Sequence, residues 1–233
     1  MTERPILFSA PMIRALLNCT KSQTRRAVKG KALEWLESAG FTPTFTADPA
    51  NGLCPYGVPG DRLWVKETFF AFGRWETRFN AKKGRDEWHF VDMTLEAGKA
   101  YQYAEAGEPV GYNKAARAGA TPSWWKRPAI FMPRAACRIT LEVTGVRVER
   151  LQDISEADAA AEGIDRAPSL GTPGDFQWCD YRVPNDSAEW FNSPVRSYET
   201  LWEQINGPGN WAANPWVWAV SFKRLAADDG GGR

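Results

Sequence analysis

Apolar and polar positions change period several times along the chain, and those changes mark out elements. Ile6, Leu7 and Phe8 form a short apolar run that predicts a strand. Ser9 is a good helix cap and Pro11 suits a first helical turn. Met12, Ile13, Leu16 and Leu17 then recur on one helical face, which predicts a helix near 10–18 with Asn18 as its stop. A weaker helix is expected over 32–38. After a turn-rich stretch at 51–61, Leu63, Val65 and Glu67 alternate with Arg62, Trp64 and Lys66, which predicts a strand over 62–69.

Residues 70–128 read as an aromatic-rich insertion with hairpin candidates at 87–91 and 100–103 and no long helical period. Alternation resumes at 138–144, where Ile139, Leu141 and Val143 share a face. Thr144-Gly145 marks a turn or bulge before Val146 and Val148 continue the strand. Ser155-Glu156-Ala157-Asp158 opens a capped, Ala-rich helix over 156–162 that ends at Gly163. Residues 164–196 read as one long surface loop. A helix over 198–206 should bury Leu201, Trp202 and Ile205. A closing strand over 216–223 alternates Trp216, Trp218, Val220 and Phe222 with Val217, Ala219 and Ser221. The expectation is a single α+β domain over 1–225, with a Gly- and Asp-rich, disordered tail at 226–233.

Net charge is +1, which argues against a protein that wraps DNA non-specifically. The charge is uneven, however. Between Pro5 and Leu33 stand Arg14, Lys21, Arg25, Arg26, Lys29 and Lys31 without one acid. Such a patch suits a phosphate or a short single strand. The 12 tryptophans are an unusual number; core filling is the preferred reading for most of them, and some are candidates for a surface on which bases stack.

Cys19, Cys54, Cys137 and Cys179 have no CxxC spacing, and His89 is the only histidine, so no conventional zinc motif can be assembled. No cofactor motif is present either. G-x-x-x-x-G-K-[ST] and G-x-S-x-G segments are both missing, so triphosphatase and α/β-hydrolase chemistry gain no support. With no apolar leader and no membrane-length apolar run, a cytoplasmic protein with reduced thiols is expected.

Three segments carry a resemblance. Lys21-Ser22-Gln23-Thr24-Arg25-Arg26 follows the first helix, Gly60-Asp61-Arg62-Leu63-Trp64-Val65 turns into a strand, and the strand at 139–148 leads to a helix closed by Glu162-Gly163-Ile164. In this order they resemble the ASCH family, a branch of the PUA-like folds, and most of all its longer, tryptophan-rich prophage-type members. The resemblance implies a small, mostly antiparallel β-barrel with flanking helices. One position departs from the pattern: Cys19 stands where the family prefers glycine at the helix end.

In small bacterial members that hydrolyse N4-acetylcytidine, a lysine, a threonine and a glutamate form the catalytic set. The resemblance carries these roles to Lys21, Thr24 and Glu162. The chemistry is coherent: a threonine hydroxyl attacks an acyl carbonyl once a base takes its proton, and burial makes a lysine such a base. Glu162, in the last helical turn, suits a proton donor or acceptor. Phosphate contact by Lys21 and Thr24 and a solvent-facing Glu162 are the plainer alternatives.

Arg25 and Arg26 point to opposite faces of a strand, so one can line a pocket while the other meets phosphate or an acid. Trp64 is a stacking wall or, by a narrow preference, barrel core, and Lys66 is its basic neighbour. The acids Glu34, Glu37, Glu156 and Asp158 read as wet helix faces, and His89 as surface. Two functions stay open, an amidohydrolase of an N4-acylated cytidine-like substrate and a non-catalytic reader of RNA or a modified nucleobase. A ribonuclease is a third. The expected partner is a modified nucleoside or a single-stranded nucleic acid, with no membrane involved.

Overall fold

The computed structural model describes residues 1–114, 121–169, 176–182 and 190–226. Twelve strands run through the described residues: β1 (Glu3–Leu7), β2 (Gln23–Ala27), β3 (Arg62–Lys66), β4 (Phe69–Asn80), β5 (Arg85–Asp92), β6 (Gln102–Tyr103), β7 (Ser123–Arg127), β8 (Thr140–Arg150), β9 (Arg166–Pro168), β10 (Phe176–Cys179), β11 (Trp190–Phe191) and β12 (Trp216–Arg224). The α-helices among them are α1 (Ala10–Leu17), α2 (Lys31–Glu37), α3 (Pro43–Ala47), α4 (Glu156–Ala161) and α5 (Pro194–Asn206). The fold is α+β with antiparallel-rich sheets. A five-stranded sheet has the order β1-β3-β8-β12-β2, and this order is open at both ends among the described residues.

The chain divides into two compact units. One holds residues 1–4, 14–64 and 139–233; the other holds 5–13 and 65–138. The sequence reading of one domain with an insertion at 70–128 thus meets a second unit with its own small core.

In the first unit, β12 pairs antiparallel with β8 and with β2. The expected irregularity at Gly145 is present as a register shift: Phe222 faces Val143 while Ser221 faces Gly145, leaving Thr144 as the extra residue. The shift keeps Leu141, Val143, Val146 and Val148 on one face, which is why this strand reads as a broken alternation. On the other face, Val217 packs with Leu151, Ile154, Ala159, Tyr198, Leu201 and Trp202 beneath α4 and α5.

Two expectations need correction, and a third lies where the structure gives no description. Ile205 is half exposed, because its helix is tied down through Tyr198, Leu201 and Trp202 one turn and more earlier. The excursion at 164–196 is no plain loop, since β9, β10 and β11 form an antiparallel sheet inside it. The expected tail from 227 onward lies outside the described residues.

In the second unit, β4 pairs with β5 along its outer half, while β6 and β7 cover only Phe69–Gly73. Phe69, Ala71, Met132 and Ala136 make its core, with Phe90, Tyr101 and Tyr103 against them. Buried Glu67 receives both arms of the Arg138 fork at 2.9 Å, a charge-assisted pairing that compensates for the loss of water.

Candidate functional site

The helix α1 ends in a Schellman turn: Cys19 N–H donates to Leu16 O and Thr20 N–H to Ala15 O. Cys19 adopts φ 56, so the chain takes up the left-handed conformation at the position where the resemblance expects glycine. This turn aims Lys21 inward. Its ammonium is buried and donates to Gln23 O at 2.7 Å, Glu162 O at 2.7 Å and Glu162 Oε2 at 2.9 Å. Lys21 and Glu162 also form an isolated antiparallel bridge. Gly163 allows this closeness, because a Cβ there would stand 2.7 Å from the Lys21 Cβ and 2.8 Å from the Ala15 Cβ.

Glu162 is shared. Its Oε1 accepts from Arg25 at 3.1 Å, and Arg25 also donates to Gln23 Oε1, Glu149 and Asp158. Arg147 reaches Glu149 and Asp158 in turn. Three cations (Lys21, Arg25, Arg147) therefore face three carboxylates (Glu149, Asp158, Glu162), tying β2, β8 and α4 together. Burial pulls the Lys21 pKa below its ordinary value, with Glu162 offsetting part of the effect. Three acceptors around Nζ nevertheless call for three donors, which only the ammonium supplies. Burial opposes the Arg25 charge as well, yet Glu162 and Glu149 hold its pKa above the ordinary value. Tyr198, wholly buried near Glu162, has its pKa pushed well up by burial and by that carboxylate.

Strand alternation separates Thr24 from this network. Gln23 and Arg25 lie on the face of Ala219 and Ser221, whereas Thr24 pairs with Val220 and Arg26 with Trp218 on the opposite face. Lys21 and Glu162 are brought together across the sequence; Thr24, although buried, is not turned toward them. Asp158, expected on a wet helix face, belongs to the network through Arg25 and Arg147.

The basic stretch is correspondingly less basic at the surface. Lys21 and Arg25 are buried with acids, while Arg14, Lys29 and Lys31 are exposed. Trp64 is half buried on the face away from Leu63 and Val65, which corrects its placement in the core. It pairs with Thr140, seven positions along β8 from Arg147, or roughly 20 Å by strand rise. Lys66 lies in the second unit, where its ammonium donates to Ile130 O at 2.6 Å. His89 is exposed.

What sequence reasoning missed is a cleft in the first unit. Two adjoining cavities, of about 370 and 230 Å³, share Ala47, Asp48, Pro49 and Val146. The smaller is also walled by Arg4, Leu53, Cys54 and Val58. Arg4 Nε is buried with no hydrogen-bond partner among the described residues. Asp48 engages one carboxylate oxygen with Ala50 N–H. Burial pushes the Cys54 thiol up to about 11, so at neutral pH it stays protonated and is no nucleophile. The turn chemistry at 51–61 was the one available signal for this wall.

Among the described residues no group of three or more His, Cys, Asp or Glu side chains is placed to hold a metal ion. No helix among them is long and apolar enough to cross a membrane. Comparison with protein-family models, with curated proteins and with solved structures found no match.

Proposed function

We propose that this chain is an ASCH-type module whose first unit binds a modified nucleobase or nucleoside in the cleft between the 43–59 segment and β8. In this reading the five-stranded sheet is an opened version of the PUA-like barrel. The observation that carries the proposal is Arg4, a wall residue whose buried Nε–H has no hydrogen-bond partner among the described residues. An unpaired buried donor costs about 1–3 kcal/mol, which a ligand acceptor would relieve. The rest of the wall is mostly apolar with few polar groups, as small-molecule sites are. A cytosine-like base offers what those groups need, a carbonyl for Arg4 and an exocyclic amine for the Asp48 carboxylate.

The test is calorimetric titration with cytidine, N4-acetylcytidine and uridine. Binding that Arg4→Ala and Asp48→Ala each weaken supports the cleft. Equal binding by wild type and both variants, or none by wild type, refutes it.

A second reading, hydrolysis of an N4-acyl group, has one observation in its favour: a buried lysine of lowered pKa against a glutamate. Its set also needs Thr24, which the strand turns to the other face. Release of cytidine from N4-acetylcytidine, lost in Lys21→Ala, would favour this reading over simple binding.

A further inference from the structure

We propose that the outer half of the β4–β5 hairpin is a stacking platform for single-stranded nucleic acid. This site is in the second unit and does not depend on the cleft. Pairing of Gly73 with Asp92 through Asn80 with Arg85 makes a two-stranded ribbon, and β7 accompanies it only as far as Gly73. Side chains alternate across that ribbon. One face carries Trp75, Thr77, Phe79, Asp86, Trp88 and Phe90; the other carries Arg74, Glu76, Arg78, Asn80, Arg85, Glu87, His89 and Val91.

The aromatic face begins as core and ends as surface. Trp75 and Phe90 meet edge to face at 5.3 Å, and the Arg127 guanidinium lies over both rings, at 4.8 and 4.5 Å, and 4.9 Å from Phe131. Further out, Trp88 is 47% exposed and Phe79 is 69% exposed. These two are diagonal neighbours in the register, which sets their positions about 7–8 Å apart. A ribbon this narrow gains nothing from leaving such rings in water, so the face is built for an occupant.

Its chemistry selects the occupant. The exposed apolar groups on this face are flat rings without aliphatic companions, which is what successive bases stack on. Segments 74–91 and 123–131 together carry seven basic and three acidic side chains. Two of the three acids, Glu76 and Glu87, are already paired with basic neighbours on the charged face. The aromatic row has Lys82 and Lys83 in the turn at its outer end and Arg127 stacked at its inner end, with Asp86 the one acid on the same face. Cations at both ends fit a strand whose phosphates run beside its bases.

The experiment is fluorescence anisotropy of the full chain with labelled 12-nucleotide oligouridylate and oligothymidylate and with a duplex of equal length. Expected are binding of the single strands in preference to the duplex, and weakening of about ten-fold or more for Phe79→Ala and for Trp88→Ala. Both side chains are exposed, so an unchanged circular-dichroism melt shows that folding is not the cause. Wild-type affinity in both variants overturns the proposal. So does failure of the wild type to bind either strand at low salt. Sedimentation run in parallel gives the remaining outcome: a dimer that Trp88→Ala dissolves would assign the face to a second copy of the chain instead. Nucleoside binding in the cleft is read separately, by Arg4→Ala, so either site can fail alone.

Discussion

Lys21 donates to Glu162 twice, to the main-chain oxygen and to the carboxylate, across 141 positions of sequence. A fully buried pair of this kind is held by mutual compensation, so its members are unequal to their sum. Glu162→Gln leaves Lys21 and Arg25 facing each other with less compensation and should destabilise by about 3–5 kcal/mol. Lys21→Met should cost a similar amount, while the double variant Lys21→Met/Glu162→Gln should lose clearly less than the two single losses added together. Denaturant unfolding of the four proteins gives the coupling energy, and strict additivity would show that the pair is not the joint of this unit.

Cys19 stands at φ 56 in an exposed Schellman turn, where an L side chain is strained. Cys19→Gly should raise stability by about 1 kcal/mol, less the extra entropy glycine has when unfolded. A drop in denaturation midpoint would mean that the side chain makes a compensating contact.

Gly163 combines a left-handed φ of 77 with contacts that leave no room for a methyl group. Gly163→Ala should cost about 2–4 kcal/mol, from backbone strain and overpacking together. Gly60 has φ 92 but nothing within 4 Å of a built Cβ, so Gly60→Ala should cost only the strain. Equal losses at the two sites would remove the steric part of the argument.

These positions also show what could be read from the sequence. The helix ending near Cys19, the strands around Leu141 and Val220, and the bulge at Gly145 follow from period and turn chemistry, which are local. The nearness of Lys21 to Glu162 was reached only through the family resemblance. The roles of Asp158 and Glu149 were not legible, because an acid that faces water and one that meets an arginine from a distant strand have the same local pattern. Thr24 was misplaced relative to its partners for a related reason. The resemblance grouped it with Lys21, but strand parity decides the face, and parity is known only once β2 is seen to start at Gln23. The second unit escaped because its core rests on a few residues, among them Phe69, Ala71, Met132 and Ala136, drawn from both ends of a long aromatic segment.

Asp61 accepts from Thr2 N–H at 2.6 Å and from Val58 N–H at 3.3 Å, and these main-chain donors hold its pKa below the ordinary 3.8. A depressed carboxylate stabilises the fold above the unfolded pKa and loses that contribution as pH falls through the folded one. Asp61→Asn should therefore be less stable than wild type at neutral pH, by about 1–3 kcal/mol, with the gap closing below about pH 4. Parallel unfolding curves between pH 2 and 7 check this; a constant gap would show that the carboxylate charge plays no part.

Cys54 offers a direct report on the cleft. Its thiol is pushed up to about 11 by burial, which outweighs the pull of the Tyr56 and Gly57 N–H groups and of Arg4. At pH 8 about one Cys54 in a thousand is then a thiolate, and the thiolate is the reactive form. Exposed Cys19 should react first with an aromatic disulfide reagent, and buried Cys179 should stay silent until unfolding. The Cys54 signal, identified by its loss in Cys54→Ser, should grow about ten-fold per pH unit up to pH 11. Arg4→Ala removes a nearby cation that favours the thiolate, so it should slow labelling at fixed pH, provided the cleft does not open. A nucleoside seated in the cleft should slow it further in wild type and much less in Arg4→Ala. Labelling of Cys54 as fast as Cys19 at pH 8 would contradict its burial, and protection by uridine equal to that by cytidine would remove the Asp48–amine contact from the recognition scheme.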